Sequence, residues 1–262
     1  MKKELETAKY AAAEAGKEIL KFYKSSYDIT EKSYHNPVTD ADNAADALIK
    51  KIIMGEFPDY GWLSEETIDS ADRLEKEYVW IIDPLDGTKE FIEGVDNFVV
   101  SIALTRNSEP ILGVLYNPPT GELFTAVKGE GAFYNGRQVH CSKNENLGEG
   151  SIVISRSETR RGLWDNTEHW YKERAHIGSV AYKLGLTAAG KYDCFATLRP
   201  KNEWDVAAGH VILSEAGGML VNIEDGKHRD FNRKDPLITP GLVGGNVSLV
   251  QKITRLWNNM VN

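Results

Sequence analysis

The sequence predicts an α/β protein in which an α+β half is followed by an α/β half. Three observations carry this: helical spacing of apolar residues over the first 57 positions, short strand-like runs between residues 97 and 141, and strand–helix alternation from residue 151 onward.

Taken in order, residues 3–24 place Leu5, Ala8, Ala12, Ala15, Ile19, Leu20 and Tyr23 at helical spacing. A polar segment containing Asn36-Pro37 follows, and residues 41–57 read as a second helix. Residues 78–82 are a short apolar run that stops at Asp83-Pro84. Residues 98–106, 111–116 and 122–127 are strand-like and separated by Asn-Ser-Glu-Pro and Pro-Pro-Thr-Gly turns, which predicts an antiparallel meander. Beyond Gly150 the pattern gives a strand at 151–155, helices at 158–173 and 179–189, and a strand at 193–197. A helix at 204–215, a strand at 219–223 and a helix at 247–260 complete it. Gly148-Glu149-Gly150 is the expected boundary, dividing 1–148 from 149–262.

Bulk properties narrow the function. The 262 residues are 41% hydrophobic and 27% charged, an ordinary globular composition with enough chain for a large core. A net charge of -8 argues against binding a nucleic acid polymer, which needs surplus Lys and Arg. It leaves an anionic small molecule open, because bound cations reverse the local sign. Glu4, Glu6, Glu14 and Glu18 interrupt the opening stretch, so it reads as a helix rather than a leader, and no apolar run spans a bilayer. Cys141 and Cys194 are far apart without metal-ligand spacing and read as buried free thiols. Together these features predict a cytoplasmic location.

Chemistry concentrates at Trp80-Ile81-Ile82-Asp83-Pro84-Leu85-Asp86-Gly87-Thr88-Lys89-Glu90-Phe91. Two carboxylates emerge where a buried strand ends, followed by a Gly-Thr pair whose backbone N–H groups are free to meet phosphate. Carboxylates are the hard oxygen ligands that magnesium takes together with phosphate oxygens. A plain reversing turn, with Asp83 as its cap, accounts for the same residues. The Asp-x-x-Asp-Gly-Thr spacing differs from the Asp-x-Asp-Gly-Thr of haloacid-dehalogenase-type phosphatases, so a covalent aspartate nucleophile is disfavoured. Three further segments each have a bland alternative. Glu65 and Glu66 in Ser64-Glu65-Glu66-Thr67 could be a solvated loop. Asp205 in Trp204-Asp205-Val206-Ala207-Ala208-Gly209, and Asp40 in Pro37-Val38-Thr39-Asp40, could be helix caps.

In this order and spacing the segments resemble the inositol monophosphatase superfamily. Gly113-Val114-Leu115-Tyr116-Asn117-Pro118, Gly178-Ser179 and Glu215-Ala216-Gly217-Gly218 extend the resemblance over nearly the whole chain. It implies a layered αβαβα sandwich of the sugar-phosphatase type and a magnesium-dependent, lithium-sensitive phosphomonoesterase with two or three ions, manganese being a substitute. It also implies that Glu65, Asp83, Asp86, Asp205 and the Leu85 carbonyl are metal ligands. Asp40, Glu65 and Thr88 would position and activate the attacking water, and Gly87 and Thr88 would hold the phosphate. Ser179 belongs with the substrate-binding residues; the basic residues suited to a second phosphate are Lys183, Arg199 and Lys201, and Arg156 is a further candidate for base or phosphate contact. Attack would be direct and in line, without a phosphoenzyme.

Lys89-Glu90-Phe91 resembles the 3′(2′),5′-bisphosphate nucleotidase branch, and Leu198 stands where the inositol branch carries a sugar-binding glutamate. The main expectation is therefore hydrolysis of 3′-phosphoadenosine 5′-phosphate to AMP and phosphate. The alternative is an inositol or broad sugar-phosphate phosphatase. A non-catalytic binding protein of the same fold would have lost a metal ligand, and none is lost. Both monomer and homodimer are compatible with the resemblance.

Overall fold

The computed structural model describes residues 1–25, 28–33 and 36–261. The side chains of residues 31–33, 36, 37 and 261 lie outside that description, Pro37 of the Pro37–Asp40 segment among them.

Helix α1 (Lys2–Phe22) buries a face of small residues, Ala8, Ala11, Ala12, Ala15 and Gly16. A Cβ at Gly16 would stand 2.6 Å from the Tyr116 ring, so the missing side chain is what lets α1 lie flat on the sheet. An antiparallel ribbon, β1 (Ile29–Ser33) with β2 (Asn36–Thr39), leads into α2 (Asp40–Glu56). A capping box between Thr39 and Asp42 satisfies the first N–H groups of α2.

The strands β3 (Gly61–Ser64), β4 (Tyr78–Asp86), β5 (Val99–Arg106), β6 (Glu109–Asn117), β7 (Glu122–Val127), β8 (Gly131–Tyr134) and β9 (Arg137–Val139) form one sheet in chain order. Only β3 and β4 run parallel; the rest is the expected meander. A single turn of helix, α3 (Thr88–Ile92), links β4 to β5.

The chain then runs through β10 (Ser151–Ser155), α4 (Arg156–Arg160), β11 (Glu173–Ile177), α5 (Val180–Ala188), β12 (Cys194–Thr197), β13 (Lys201–Asn202) and α6 (Glu203–Glu215). It ends with β14 (Met219–Asn222), β15 (Leu237–Ile238), β16 (Leu242–Gly245) and α7 (Val247–Val261). The second sheet has the order β11-β10-β12-β16-β14, and β13 pairs with β15 as a separate ribbon.

Three hydrophobic cores stack these elements. One joins α1 and α2 to the first sheet through Ile49, Ile53, Trp80, Ile82 and Phe98. A second fills the space between the two sheets with α5 and α6, through Leu184, Val211, Ile212, Phe124 and Phe195. The third seats Leu249, Val250 and Ile253 of α7 on the far face of the second sheet. The result is five layers, αβαβα. Cys141 and Cys194 are both buried free thiols. Among the described residues no helix is long and apolar enough to cross a membrane.

One expected helix is corrected. The segment 158–173 stops being α-helical at Arg160, Gly162 turns the chain at φ +70°, and a 3-10 turn follows at Asp165–Trp170. Trp164 is drawn into the third core, where its indole N–H donates to Glu158 Oε2 at 3.0 Å. Burial of that ring overrides the local helical pattern, and the chain emerges to form β11 at the sheet edge.

Candidate active site

The centre is built on the end of β4. Along this strand Trp80 and Ile82 face α1 and α2, whereas Val79 and Ile81 face the core holding α5 and α6. Strict alternation would put Asp83 on the α5/α6 face and Asp86 on the opposite one. The register shifts instead: Asp83 pairs with Ser101 and Asp86 with Val99, so β4 spends three steps where β5 spends two. This β-bulge returns Asp86 to the side of Asp83 and leaves Leu85 in the other core. Because β3 ends at Ser64, opposite Ile82, Pro84 adds no unpaired N–H beside a neighbouring strand.

Glu65 arrives by parallel pairing. Its N–H donates to Ile82 O at 3.2 Å, which sets it beside the exit of β4. Asp205 arrives on the first turn of α6, where its Oδ2 accepts from Asn202 N at 2.8 Å in a capping box. Asp205 therefore both caps α6 and lines the cleft. Glu65, Asp83 and Asp205 each offer a carboxylate oxygen, all within 4.8 Å of one another.

Asp86 lines the same cleft, but its Oδ2 accepts from Ser179 Oγ and from Ala181 N, both at 2.6 Å. Ser179 adopts φ +53° to make that contact, an uncommon conformation for a residue with a side chain. Gly87, at φ +108°, turns the chain into α3; a Cβ there would lie 2.9 Å from Asn97 O. The Thr88 hydroxyl lies 3.0 Å from Asp42 Oδ1 and 3.2 Å from Leu85 O. The cleft, about 230 Å³, is lined by Glu65, Asp83, Asp86, Gly87, Thr88, Ser179 and Asp205 with Lys89, Glu90, Ser155, Ser157, Lys183 and Lys201. A wider groove of about 1080 Å³ over α1 and α2 mixes Lys3 and Lys51 with Glu6 and Glu56 and lacks converging ligands.

Like charges shape the titration. Burial raises the Asp83 carboxyl well above the ordinary range, and Glu65, Asp86, Asp205 and Asp42 push it the same way. Burial also raises Asp86, against the hydrogen bonds from Ser179 and Ala181 and the pull of Lys183 and Lys201. Asp205 is pushed up to about 7 by burial and then by Asp86 and Glu65. Carboxylates crowded this closely bind protons or cations. An all-oxygen donor set of this kind fits a hard divalent ion.

Several expected positions are corrected. Asp40 is exposed and its Oδ2 accepts from Asp28 N at 3.2 Å, away from the cleft. Asp42 takes the inward place. Two helical steps are about 200° of rotation, so these two aspartates point to opposite sides of α2. The signal was available: Asp42 stands at the third helical position after Thr39, one step beyond the Ala41, Ala45, Ile49 stripe. Arg156 lies outside the cleft lining, its guanidinium bonded to Glu90 Oε1 at 3.2 Å and Glu93 Oε2 at 2.6 Å. Arg199 is exposed and also outside the lining; its backbone N–H faces buried Glu158 at 3.3 Å. Lys183 reaches the cleft, yet its ammonium donates to Ile177 O, Gly178 O and Ser179 O at 3.1, 3.3 and 2.8 Å, and burial lowers it to about 8.

A family model described as the inositol monophosphatase family matches residues 1–257. The chain belongs to the inositol monophosphatase family. Inositol monophosphatase 2 of Solanum lycopersicum is 37% identical over 235 residues, covering 85% of this chain and 88% of that protein. The fructose-1,6-bisphosphatase/inositol-1-monophosphatase of Aquifex aeolicus (strain VF5) is 37% identical over 229 residues, covering 84% and 85%. Among solved structures, a Thermotoga maritima IMPase superposes with a TM-score of 0.88 at 29% identity over 100% of this chain and 98% of that one. As a member of the inositol monophosphatase family the chain is a metal-dependent phosphoric monoester hydrolase. These relatives carry inositol and fructose phosphatase names, which favours the alternative reading of the substrate over 3′-phosphoadenosine 5′-phosphate.

Proposed function

We propose that the chain hydrolyses inositol or sugar phosphate monoesters. The observation that carries this is the convergence of Glu65, Asp83 and Asp205 within 4.8 Å beside the Gly87-Thr88 turn. Those three carboxylates, with Asp86 and the Leu85 carbonyl, would hold magnesium, two or three ions in number, with manganese as a substitute. Bound there, the cation would supply Lewis acidity to the phosphoryl group and to the attacking water.

The chain's own residues do the rest. Donating to Asp42 Oδ1, the Thr88 hydroxyl keeps its lone pairs toward the cleft and accepts a hydrogen bond from the water, which Glu65 holds from the other side. The water's proton moves through Thr88 Oγ1 toward Asp42, a carboxylate already aligned by Thr39 N and Oγ1 at 2.8 and 2.6 Å. Backbone N–H groups of Gly87 and Thr88 orient the phosphate for in-line attack. Lys89 and Lys201 place positive charge around the mouth.

A second reading, the bisphosphate nucleotide, is supported by Leu198, which packs against the third core instead of offering a carboxylate to a polyol, and by those two lysines at the cleft. A phosphate-release panel decides between them: inositol 1-phosphate, fructose 1,6-bisphosphate and 3′-phosphoadenosine 5′-phosphate, each with and without magnesium. The highest kcat/KM on the inositol or fructose ester is the expected result, and a clear preference for the nucleotide reverses the order. A lithium dose series on the same assay tests the implied sensitivity.

A further inference from the structure

Helix α2 brings a second inward carboxylate, Asp46, one turn beyond Asp42 and on the same face. Asp46 is buried at 7% exposure, and the hydrogen bonds that hold its carboxylate come from hydroxyl groups. A buried carboxylate without a counter-ion persists only if strong donors satisfy it. Both donors come from the loop that carries Glu65: Ser64 Oγ donates to Asp46 Oδ1, and Thr67 Oγ1 donates to Oδ2 at 2.6 Å. Ser64 and Thr67 bracket Glu65-Glu66. The indole N–H of Trp62 reaches Thr67 Oγ1 at 3.4 Å, and Glu65 N is tied to Ile82 O at 3.2 Å, one residue before Asp83.

We infer that Asp46 is a positioning residue that fixes Glu65 at the metal centre by gripping its loop from both flanks. This rests on the reading of Glu65 as a metal ligand. One helix then sets two groups at once, Thr88 through Asp42 and Glu65 through Asp46. Loss of the grip lets the Glu65 carboxylate sample positions away from Asp83 and Asp205, which weakens divalent-ion binding while leaving the phosphate cradle of Gly87 and Thr88 in place.

Isothermal calorimetry of magnesium binding to the full-length protein, alongside steady-state kinetics, tests this with Asp46→Ala, Thr67→Val, Glu65→Gln and the Asp46→Ala/Glu65→Gln pair. Both Asp46→Ala and Thr67→Val are expected to weaken magnesium about 10- to 100-fold, lowering kcat with little change in KM. Asp46→Ala is expected to add almost nothing in the Glu65→Gln background. A folded Asp46→Ala protein that binds magnesium as tightly as wild type overturns the inference while Glu65→Gln still weakens binding. If Asp46→Ala does not fold, wild-type affinity in Thr67→Val overturns it instead. Unchanged affinity in Glu65→Gln itself removes the ligand reading, and this inference with it.

Discussion

Asp40 and Asp42 are the same side chain two positions apart, and helix geometry gives them different chemistry. Asp40 faces solvent, while Asp42 closes the capping box and bonds Thr88. Asp42→Asn is expected to lower kcat about 10²- to 10⁴-fold, the range for losing a positioned acid–base group. Asp40→Asn should stay within about twofold of wild type, as an exposed surface change does. Phosphate release at saturating magnesium measures both, and a larger loss at Asp40 would return the role to that residue. Composition made the choice illegible, since Thr39-Asp40-Ala41-Asp42 offers two aspartates beside one cap; only the phase of the buried stripe Ala41, Ala45 and Ile49 selects between them. Lys183 lines the cleft, but its bonding is hidden from the sequence for a different reason. Its charge suggested phosphate, but three carbonyl oxygens consume its donors, and nothing in a linear pattern announces those.

At the scale of elements, α6 matters most, because it lies on β5 and β6 while presenting Asp205 at its first turn. Its approach is close: a Cβ at Gly113 of β6 would lie 2.4 Å from Ala208 O. Gly113→Ala should therefore push the helix outward, destabilise the fold by about 1–3 kcal/mol, and displace Asp205 enough to reduce turnover. Urea unfolding followed by kinetics checks both effects; an unshifted midpoint would show that the contact yields without strain. The Ala-rich run after Trp204 made this helix readable, as apolar runs punctuated by turn residues made the meander readable. The four-residue strand β3 and the edge strand β11 were not, because short strands draw their stability from neighbours that the local sequence does not name. The β4 bulge was legible only as spacing. Deleting Leu85 should restore a regular ladder with Asp86 still on the side of Asp83, but it removes the Leu85 side chain from the α1/α2 core and the carbonyl that Thr88 contacts, so activity should be abolished, whereas Leu85→Met should be mild. An active deletion variant would show that neither the bulge nor the Leu85 carbonyl is needed at the site.

For the whole molecule, the crowded carboxylates make stability depend jointly on pH and metal. Asp205, near 7 when folded, stands above an unfolded value of about 3.9. In chelated protein its favourable contribution is complete below pH ~4 and is lost as pH rises through ~7; Asp83 and Asp86 act in the same direction. Buried Glu203, raised to about 7, follows the same sign without meeting the cation, and His210, lowered to about 4 by burial, opposes it. The magnesium-induced rise in Tm isolates the cluster and should grow between about pH 5.5 and about pH 8. A rise that shrinks over that interval in calorimetric scans would contradict the shared-cation reading. The middle layer has a mechanical corollary. Because α5 and α6 share one continuous core with both sheets, the walls of the cleft are welded together through apolar packing. Such a seam does not swing like a hinge. Substrate must enter and leave a socket of nearly constant width, so small-angle scattering profiles of the empty and loaded enzyme should superimpose.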